Sequence, residues 1–305
     1  MEELKDLFNF SYVVIDKPYG PTSHQVSAWV KEILNVKKTG HAGTLDPHVT
    51  GVLPIGINKA TRIINILHMQ DKEYVGLLYL HGNVNEKKIR EVFSEFIGEI
   101  YQMVPVRAAV SRKLRKRKIF SLEIIEIDGR NVLFKVSTES GTYIRTLCVD
   151  LGDAIGTGGN LVELRRIRTG RIKEENAFTL QDLKDAMEFF KNGDNSYLKK
   201  ILRPGKELTD FLPKIIVKET AIEAIVNGAP LYSAGVEKVE GNLSLNSIVA
   251  IFSPQEELIS LGKVVNNLDI SSKDPIVKME TVIMERGKYP KTWKLWKKFL
   301  ILYYS

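Results

Sequence analysis

The residues from His41 to Pro54, H-A-G-T-L-D-P-H-V-T-G-V-L-P, constrain this chain more than any other stretch. Gly43 and Gly51 permit close backbone approach and unusual dihedrals, while Pro47 and Pro54 fix φ. Asp46 sits between the first glycine and the first proline. The pattern predicts a rigid turn that holds one carboxylate. Spacing alone serves two readings equally. Asp before Pro is common turn chemistry, and a carboxylate fixed in this way also suits a site that must aim it at a substrate.

The chain has 305 residues, enough for two domains. Its net charge is +7, and the excess is spread, +4 over residues 1–150 and +3 over residues 151–305. A distributed positive field favours a polyanionic partner, nucleic acid before membrane. The single cysteine, Cys148, excludes an intrachain disulfide and fits a reducing compartment. It follows an alternating apolar stretch and reads as a core filler. No apolar run reaches the ~18–20 residues that span a bilayer, and residues 1–10 lack an apolar signal core. A cytoplasmic protein is expected, with no membrane partner.

Residues 11–15 read as a buried strand ended by the turn Lys17-Pro18-Tyr19-Gly20-Pro21. Thr22-Ser23 is placed to cap a helix over residues 25–34. A strand is expected over 73–80 and a helix over 86–98, with Ile89, Val92, Phe93, Phe96 and Ile97 on one face. Strands over 121–127 and 131–137 flank Asp128-Gly129, a hairpin signal. Residues 142–154 read as a strand-to-helix transition and 180–191 as an amphipathic helix. The stretch 200–213, with Pro204-Gly205 and Pro213, reads as a linker. Beyond it, short strand-like runs over 214–217, 248–252, 258–265 and 276–284 suggest a small β-rich barrel.

Five motifs then occur in order. Lys17-Pro18 with Gly20 is followed by the Asp46 loop, by Lys72-Glu73-Tyr74, by S-G-T-Y-I-R-T-L over 140–147, and by L-R-R-I-R-T-G over 164–170. Together they resemble the TruB/dyskerin family of RNA pseudouridine synthases. The segment I-V-N-G-A-P-L-Y-S-A-G-V, with the strands that follow, resembles a PUA RNA-binding module, its Gly228, Gly235 and Gly262 matching turn positions. The resemblance implies an α+β fold: a mixed, largely antiparallel central sheet flanked by helices, with a C-terminal β-barrel. The expected divisions are a catalytic domain over 11–205, a PUA domain over 213–288 and a basic, aromatic tail over 289–305.

The resemblance also assigns roles. Asp46 becomes the catalytic carboxylate, Tyr74 the ring stacked on the target base, Arg145 the partner of Asp46, and Leu164 a packing residue beside them. Lys17 supports the loop. The chemistry is coherent. A uridine leaves its stack at a cost of a few kcal/mol, and stacking on an aromatic returns about 1–3 kcal/mol per base. An arginine favours the ionised carboxylate. The product is an isomer, so no metal or nucleotide cofactor is expected. Asp46 attacking C1′ and Asp46 acting through C2′ both remain open.

Hydrolysis fits less well, because a glycosidase needs two carboxylates about 5–9 Å apart, and Asp150 and Asp153 read as helix residues. His41, Asp46 and His48 have no metal-ligand signature, and Gly156-Thr157-Gly158-Gly159 lacks the Lys-Ser/Thr of a P-loop. Arg112, Lys113, Arg115, Lys116, Arg117 and Lys118 put six cations in seven positions. They read as a mobile loop that grips phosphate. Arg165, Arg166 and Arg168 form a second basic cluster for backbone contact. Lys17, His41 and Tyr143 are further RNA-contact candidates, His41 serving equally as a structural histidine. The short passage from Val104-Pro105 into the basic run resembles the archaeal H/ACA form of the family. That resemblance implies a guide RNA, rRNA or tRNA as substrate, two small accessory proteins and a kink-turn-binding protein of ribosomal type. A stand-alone tRNA enzyme and a non-catalytic RNA-binding scaffold are the alternatives.

Overall fold

The computed structural model describes residues 7–103, 113–267 and 274–290. The chain divides into two compact units, Met1–Arg203 and Pro204–Ser305.

In the first unit β1 (Phe10–Lys17) precedes α1 (Ser23–Leu34), β2 (Thr39–His41), β3 (Val49–Asn58) and β4 (Lys72–Leu80). Then come α2 (Glu86–Glu95), β5 (Gly98–Met103), β6 (Leu114–Asp128), β7 (Asn131–Thr138) and α3 (Ile144–Ile155). β8 (Gly159–Thr169), β9 (Ile172–Lys173), α4 (Leu180–Lys191) and α5 (Ser196–Ile201) complete it. The sheet runs β1-β3-β8-β4-β7-β6-β5, with β2 added to β3 and β9 to β8. Along that path every pairing is antiparallel except β3 with β8. One core packs α1, α4 and α5 on β1 and β3, through residues such as Val26, Val30, Leu183, Leu198, Val13 and Ile55. A second packs α2 and α3 with β4, β6 and β7, through Phe93, Leu147, Leu78, Leu122 and Phe134. Each such side chain contributes about 1.5–3 kcal/mol on burial. Cys148 is fully buried in this second core, and burial pushes its thiol far up from the usual value.

Local signals explain the boundaries. Thr22 and Gln25 form a reciprocal capping box at α1: Gln25 N–H donates to Thr22 Oγ1 (3.1 Å) and Thr22 N–H donates to Gln25 Oε1 (2.8 Å). Asp128 pairs with Asn131 across a two-residue Gly129-Arg130 turn, where Gly129 takes φ +56°. Some expectations need correction. α2 stops at Glu95, and Ile97 lies outside it, 48% exposed, because Gly98 at φ +115° turns the chain into β5. Residues 140–143 form a turn and not a strand, so α3 starts abruptly at Ile144. The boundary between the units falls inside the stretch 200–213, as a linker there requires, but the stretch is regular: a 3₁₀ turn spans Gly205–Thr209, and Ile201, Leu208 and Leu212 are buried.

The second unit has β10 (Lys214–Val217), α6 (Glu219–Val226), β11 (Leu231–Tyr232), β12 (Val236–Glu240), β13 (Ile248–Phe252), β14 (Leu258–Val264) and β15 (Pro275–Val282). Its sheet runs β11-β15-β14-β13-β10-β12, and β10 with β13 is its parallel pair. Ile222 and Val226 of α6 share a core with Val217, Ile251 and Val277. The buried Glu223 carboxylate accepts from Asn227 Nδ2 (3.1 Å) and from Gly287 N–H (3.2 Å), tying the end of the unit to α6. Gly262 lies inside β14 at a bulge and not in a turn; a Cβ there would stand 2.4 Å from Val277 Cγ1. The tail from residue 291 lies outside the described residues.

Candidate active site

β8 assembles the site. It pairs with β3 on one side, Gly51 opposite Arg166 and Val49 opposite Leu164, and with β4 on the other, Tyr74 opposite Arg166. A bulge between Glu73 and Tyr74 sets that second register. The loop carrying Asp46 leads directly into β3. Three motifs far apart in sequence therefore meet at Arg166.

The loop is fixed from below by two buried cations. Arg166, 2% exposed, donates from Nε to the Val52 carbonyl (2.8 Å) and from Nη2 to the Gly43 carbonyl (2.8 Å). Tyr74 stands opposite it across the β4–β8 pairing, close enough to act on its charge. Lys17, fully buried, donates from Nζ to the carbonyls of Pro18 (2.9 Å), Pro47 (3.0 Å) and Val49 (2.9 Å). Burial pushes the Lys17 ammonium down, and the nearby Asp46 charge opposes that shift. Ser23 Oγ accepts from Leu45 N–H (2.8 Å) and donates to the Leu45 carbonyl (3.0 Å). Gly43 takes φ +72°, and a Cβ there would lie 2.9 Å from Arg166 Nη1; Gly51 takes φ +99°, and a Cβ there would lie 2.2 Å from the Arg166 carbonyl oxygen. Gly51 is thus required by the backbone at position 166, and Gly43 by its own φ and by the Arg166 side chain.

With its backbone held, Asp46 projects a half-exposed carboxylate, and Arg145 Nη2 donates to Asp46 Oδ2. Exposed pairs of this kind contribute only about 0–1 kcal/mol, so the pair aims the carboxylate more than it stabilises the fold. Arg145 lies in the first turn of α3. Gln102 of β5 sets the start of that helix: its Oε1 accepts from Tyr143 N–H (3.0 Å) and its Nε2 donates to the Tyr143 carbonyl (3.1 Å). Lys72 Nζ donates to the carbonyls of Leu67 (3.0 Å) and Gln70 (2.5 Å) and to Ser140 Oγ (3.1 Å), joining β4 to the turn before α3. Burial, with the Arg166 charge adding to it, lowers the Lys72 ammonium to about 8. An open cavity of about 920 Å³ results. Asp46, Tyr74, Tyr143, Arg145, Leu164 and Arg166 line it, with Tyr19 and His48. A flat base fits such a space, with an aromatic ring and a carboxylate in reach.

The structure thus brings Asp46, Tyr74, Arg145, Leu164 and Tyr143 together. It gives the other RNA-contact candidates partners within the protein or buries them. Arg166 and Lys17 are buried under the loop. Arg165 donates to Asp16 through both Nη atoms (2.9 and 3.0 Å) and to Glu174 (2.9 Å). Arg168 donates to Asp71 (2.7 Å) and approaches Glu73 (3.4 Å). These ion pairs raise both arginines above their usual value, Asp16 and Asp71 having the largest effects. Both ring nitrogens of His41 are buried without a hydrogen-bond partner among the described residues, and the ring meets His24 edge-on at 4.8 Å. Burial first, then His24, Arg166 and His68, push its pKa down.

The basic run is not a loop where it is described. From Leu114 it forms the first half of β6, paired with β5. Leu114, Lys116 and Lys118 face solvent, while Arg115 and Arg117 are half-buried. Arg117 donates to the Gly141 carbonyl (2.9 Å) and to Glu139 (3.3 Å), so it holds the turn before α3. Lys116 pairs with Glu99 at 2.7 Å. Lys113 precedes the strand, and Arg112 lies outside the described residues. Among the described residues, no group of three or more His, Cys, Asp or Glu side chains is placed to hold a metal, and no helix is long and apolar enough to cross a membrane. Gln102 is a positioning residue that the sequence did not reveal, and Lys72, named there only as the start of the Lys72-Glu73-Tyr74 motif, is another.

Comparison with known proteins agrees with this geometry. Residues 31–144 match the TruB family pseudouridylate synthase N-terminal domain, 145–209 the tRNA pseudouridylate synthase B C-terminal domain, and 213–270 the PUA domain. A relative from Archaeoglobus fulgidus is 49% identical over 286 residues, covering 92% of this chain and 88% of that one. One from Methanocaldococcus jannaschii is 45% identical over 296 residues, covering 96% and 88%. Each is named "Probable tRNA pseudouridine synthase B". Among solved structures, a chain of a Cbf5-Nop10-Gar1 complex superposes with a TM-score of 0.90 at 44% identity, covering 94% of this chain and 89% of that one. A chain of an H/ACA RNP bound to a substrate RNA containing 2′-deoxyuridine gives 0.88 at 43% identity, covering 95% and 90%. With three matched domains and close relatives along nearly its whole length, this chain belongs to the TruB family of pseudouridine synthases, isomerases that act on RNA.

Proposed function

We propose that this chain is the catalytic subunit of a guide-RNA-directed particle, with Asp46 as the carboxylate that drives isomerisation. The observation that carries the assignment of Asp46 is its loop: an accessible carboxylate on an immobilised backbone, paired to Arg145, in one cavity with Tyr74. The target uracil stacks on Tyr74. The C1′–N1 bond breaks, the uracil turns, and C1′ joins C5. C5 then loses its proton and N1 gains one, so atoms balance without a co-reactant. Asp46 serves this sequence by attack at C1′ or by taking the C2′ proton. Arg145 and Leu164 hold the carboxylate and the ring edge in place.

The guide-directed reading draws support from the likeness to chains solved with Nop10, Gar1 and a substrate RNA. Equivalents of those two small proteins are the proposed partners, together with a kink-turn-binding protein, a guide RNA and an rRNA target. The relatives' name supports a second reading, a tRNA enzyme that needs no guide. Pseudouridine formation on a matched rRNA fragment and on unmodified tRNA, each with and without guide RNA and accessory proteins, separates the two. Turnover that requires the guide is expected; efficient guide-free turnover on tRNA as the sole activity overturns it. In either assay Asp46→Asn is expected to lower turnover by at least about 10³-fold, the scale of a lost nucleophile, with RNA binding retained. An active Asp46→Asn variant would sink the assignment.

A further inference from the structure

Tyr19 is the tyrosine of the turn Lys17-Pro18-Tyr19-Gly20, and it is 66% exposed. Its ring contributes little to either core. It lies instead on the wall of the Asp46 cavity, against the ring of His48, with centroids 5.0 Å apart and planes tilted by 39°. His48 is two residues beyond Asp46.

Exposed tyrosines are usually free to move, but this one stands on a fixed base. Gly20 N–H donates to the Pro47 carbonyl at 2.9 Å, with Gly20 at φ +110°, and Lys17 Nζ binds the carbonyls of Pro18 and Pro47 at 2.9 and 3.0 Å. The turn and the catalytic loop are therefore clamped on both sides of the ring pair. Burial cannot be the reason for so large an exposed apolar surface, and its place on the cavity wall offers another. Tyr74 is turned inward, half-buried against the second core and opposite Arg166, and serves one base. A single-stranded RNA that delivers one extruded base presents the faces of its neighbours at the cavity mouth. Aromatic rings accept such faces whatever the sequence.

We propose that Tyr19, backed by His48, is a stacking platform for a base flanking the target uridine. This rests on Asp46 marking the reaction centre. It assigns the RNA a second point of attachment that acts on binding and not on the bond exchange.

The test uses the full chain with guide RNA and accessory proteins. 2-Aminopurine is placed at each position flanking the target uridine in turn. At one position, fluorescence is expected to fall on binding wild type and on binding Asp46→Asn, and to stay high with Tyr19→Ala. In turnover, Tyr19→Ala is expected to raise KM about 5- to 100-fold with kcat little changed. Tyr19→Trp restores it, and His48→Ala has a smaller effect. Replacing the stacked nucleotide by an abasic one removes the difference between wild type and Tyr19→Ala. Because Tyr19 is exposed, Tyr19→Ala is expected to unfold at the wild-type midpoint. Equal quenching by wild type and Tyr19→Ala at every flanking position overturns the platform. So does a KM effect that survives every abasic substitution. The fluorescence readout needs no turnover, so an active Asp46→Asn variant refutes the reading of the site without deciding this one.

Discussion

The Asp46 loop and the β5–β6 hairpin both owe their character to basic residues, and they use them in opposite directions. Under the loop, Lys17 and Arg166 point inward and donate hydrogen bonds to backbone carbonyls. On the hairpin, Lys116 and Lys118 point outward, while Arg117 turns back to hold a neighbouring turn. A buried cation bonded to carbonyls makes a loop rigid. An exposed one leaves its charge for a partner. Motifs rich in basic residues therefore divide by burial, and only the outward set, with Lys116 also paired to Glu99, stands where a phosphate can reach it.

The sharpest way to break this contrast is to remove the inward cation. Arg166→Met leaves the Gly43 and Val52 carbonyls without their donor. It is expected to cost about 2–5 kcal/mol in chemical denaturation and to abolish turnover by releasing Asp46. Lys116→Ala with Lys118→Ala should leave stability within about 0.5 kcal/mol and instead weaken RNA binding. The slope of log affinity against log salt is expected to shrink by about 0.7 for each phosphate of single-stranded RNA that the variant no longer neutralises. An unchanged slope would place the hairpin cations off the RNA, and a stable Arg166→Met would remove the distinction.

The smallest expected effect is a pH dependence. Burial holds the His41 pKa below its ordinary 6.5. Between that folded value and 6.5 the unfolded chain binds a proton that the folded chain does not, so stability falls as pH drops through this window. His41→Leu removes the titration without stranding a partner, since its nitrogens have none among the described residues. Unfolding midpoints from pH 7.5 to 5 should fall less steeply in the variant. Part of the slope stays, because burial shifts His68 in the same direction.

Much of this is legible in the sequence. The Asp46 loop stands out through two glycines and two prolines, and Tyr74 and Arg145 lie in motifs of fixed order. The capping box at Thr22, the hairpin at Gly129 and α4 follow from local chemistry. Arg166 is hidden among look-alikes: in the run Arg165-Arg166-Ile167-Arg168 nothing but strand register decides which guanidinium goes beneath the loop. The start of β6 is masked because clustered cations lower strand propensity, and the alternation from Leu114 to Lys118 is one of burial, visible only once the strand is folded. Gln102 carries no signal at all. Its value comes from meeting the Tyr143 backbone across the fold.

One further consequence belongs to Arg166, whose guanidinium joins Gly43 to Val52 and whose strand position lies opposite Tyr74. The floor of the cavity is a single mechanical piece, so the Tyr74 ring and the Asp46 loop cannot be tuned separately. Substitutions at Tyr74 and at the glycines of the loop should be strongly non-additive. Any retargeting of this enzyme to a new RNA context has its room at the rim, where Tyr19 and the hairpin lysines stand in solvent, and little in the floor.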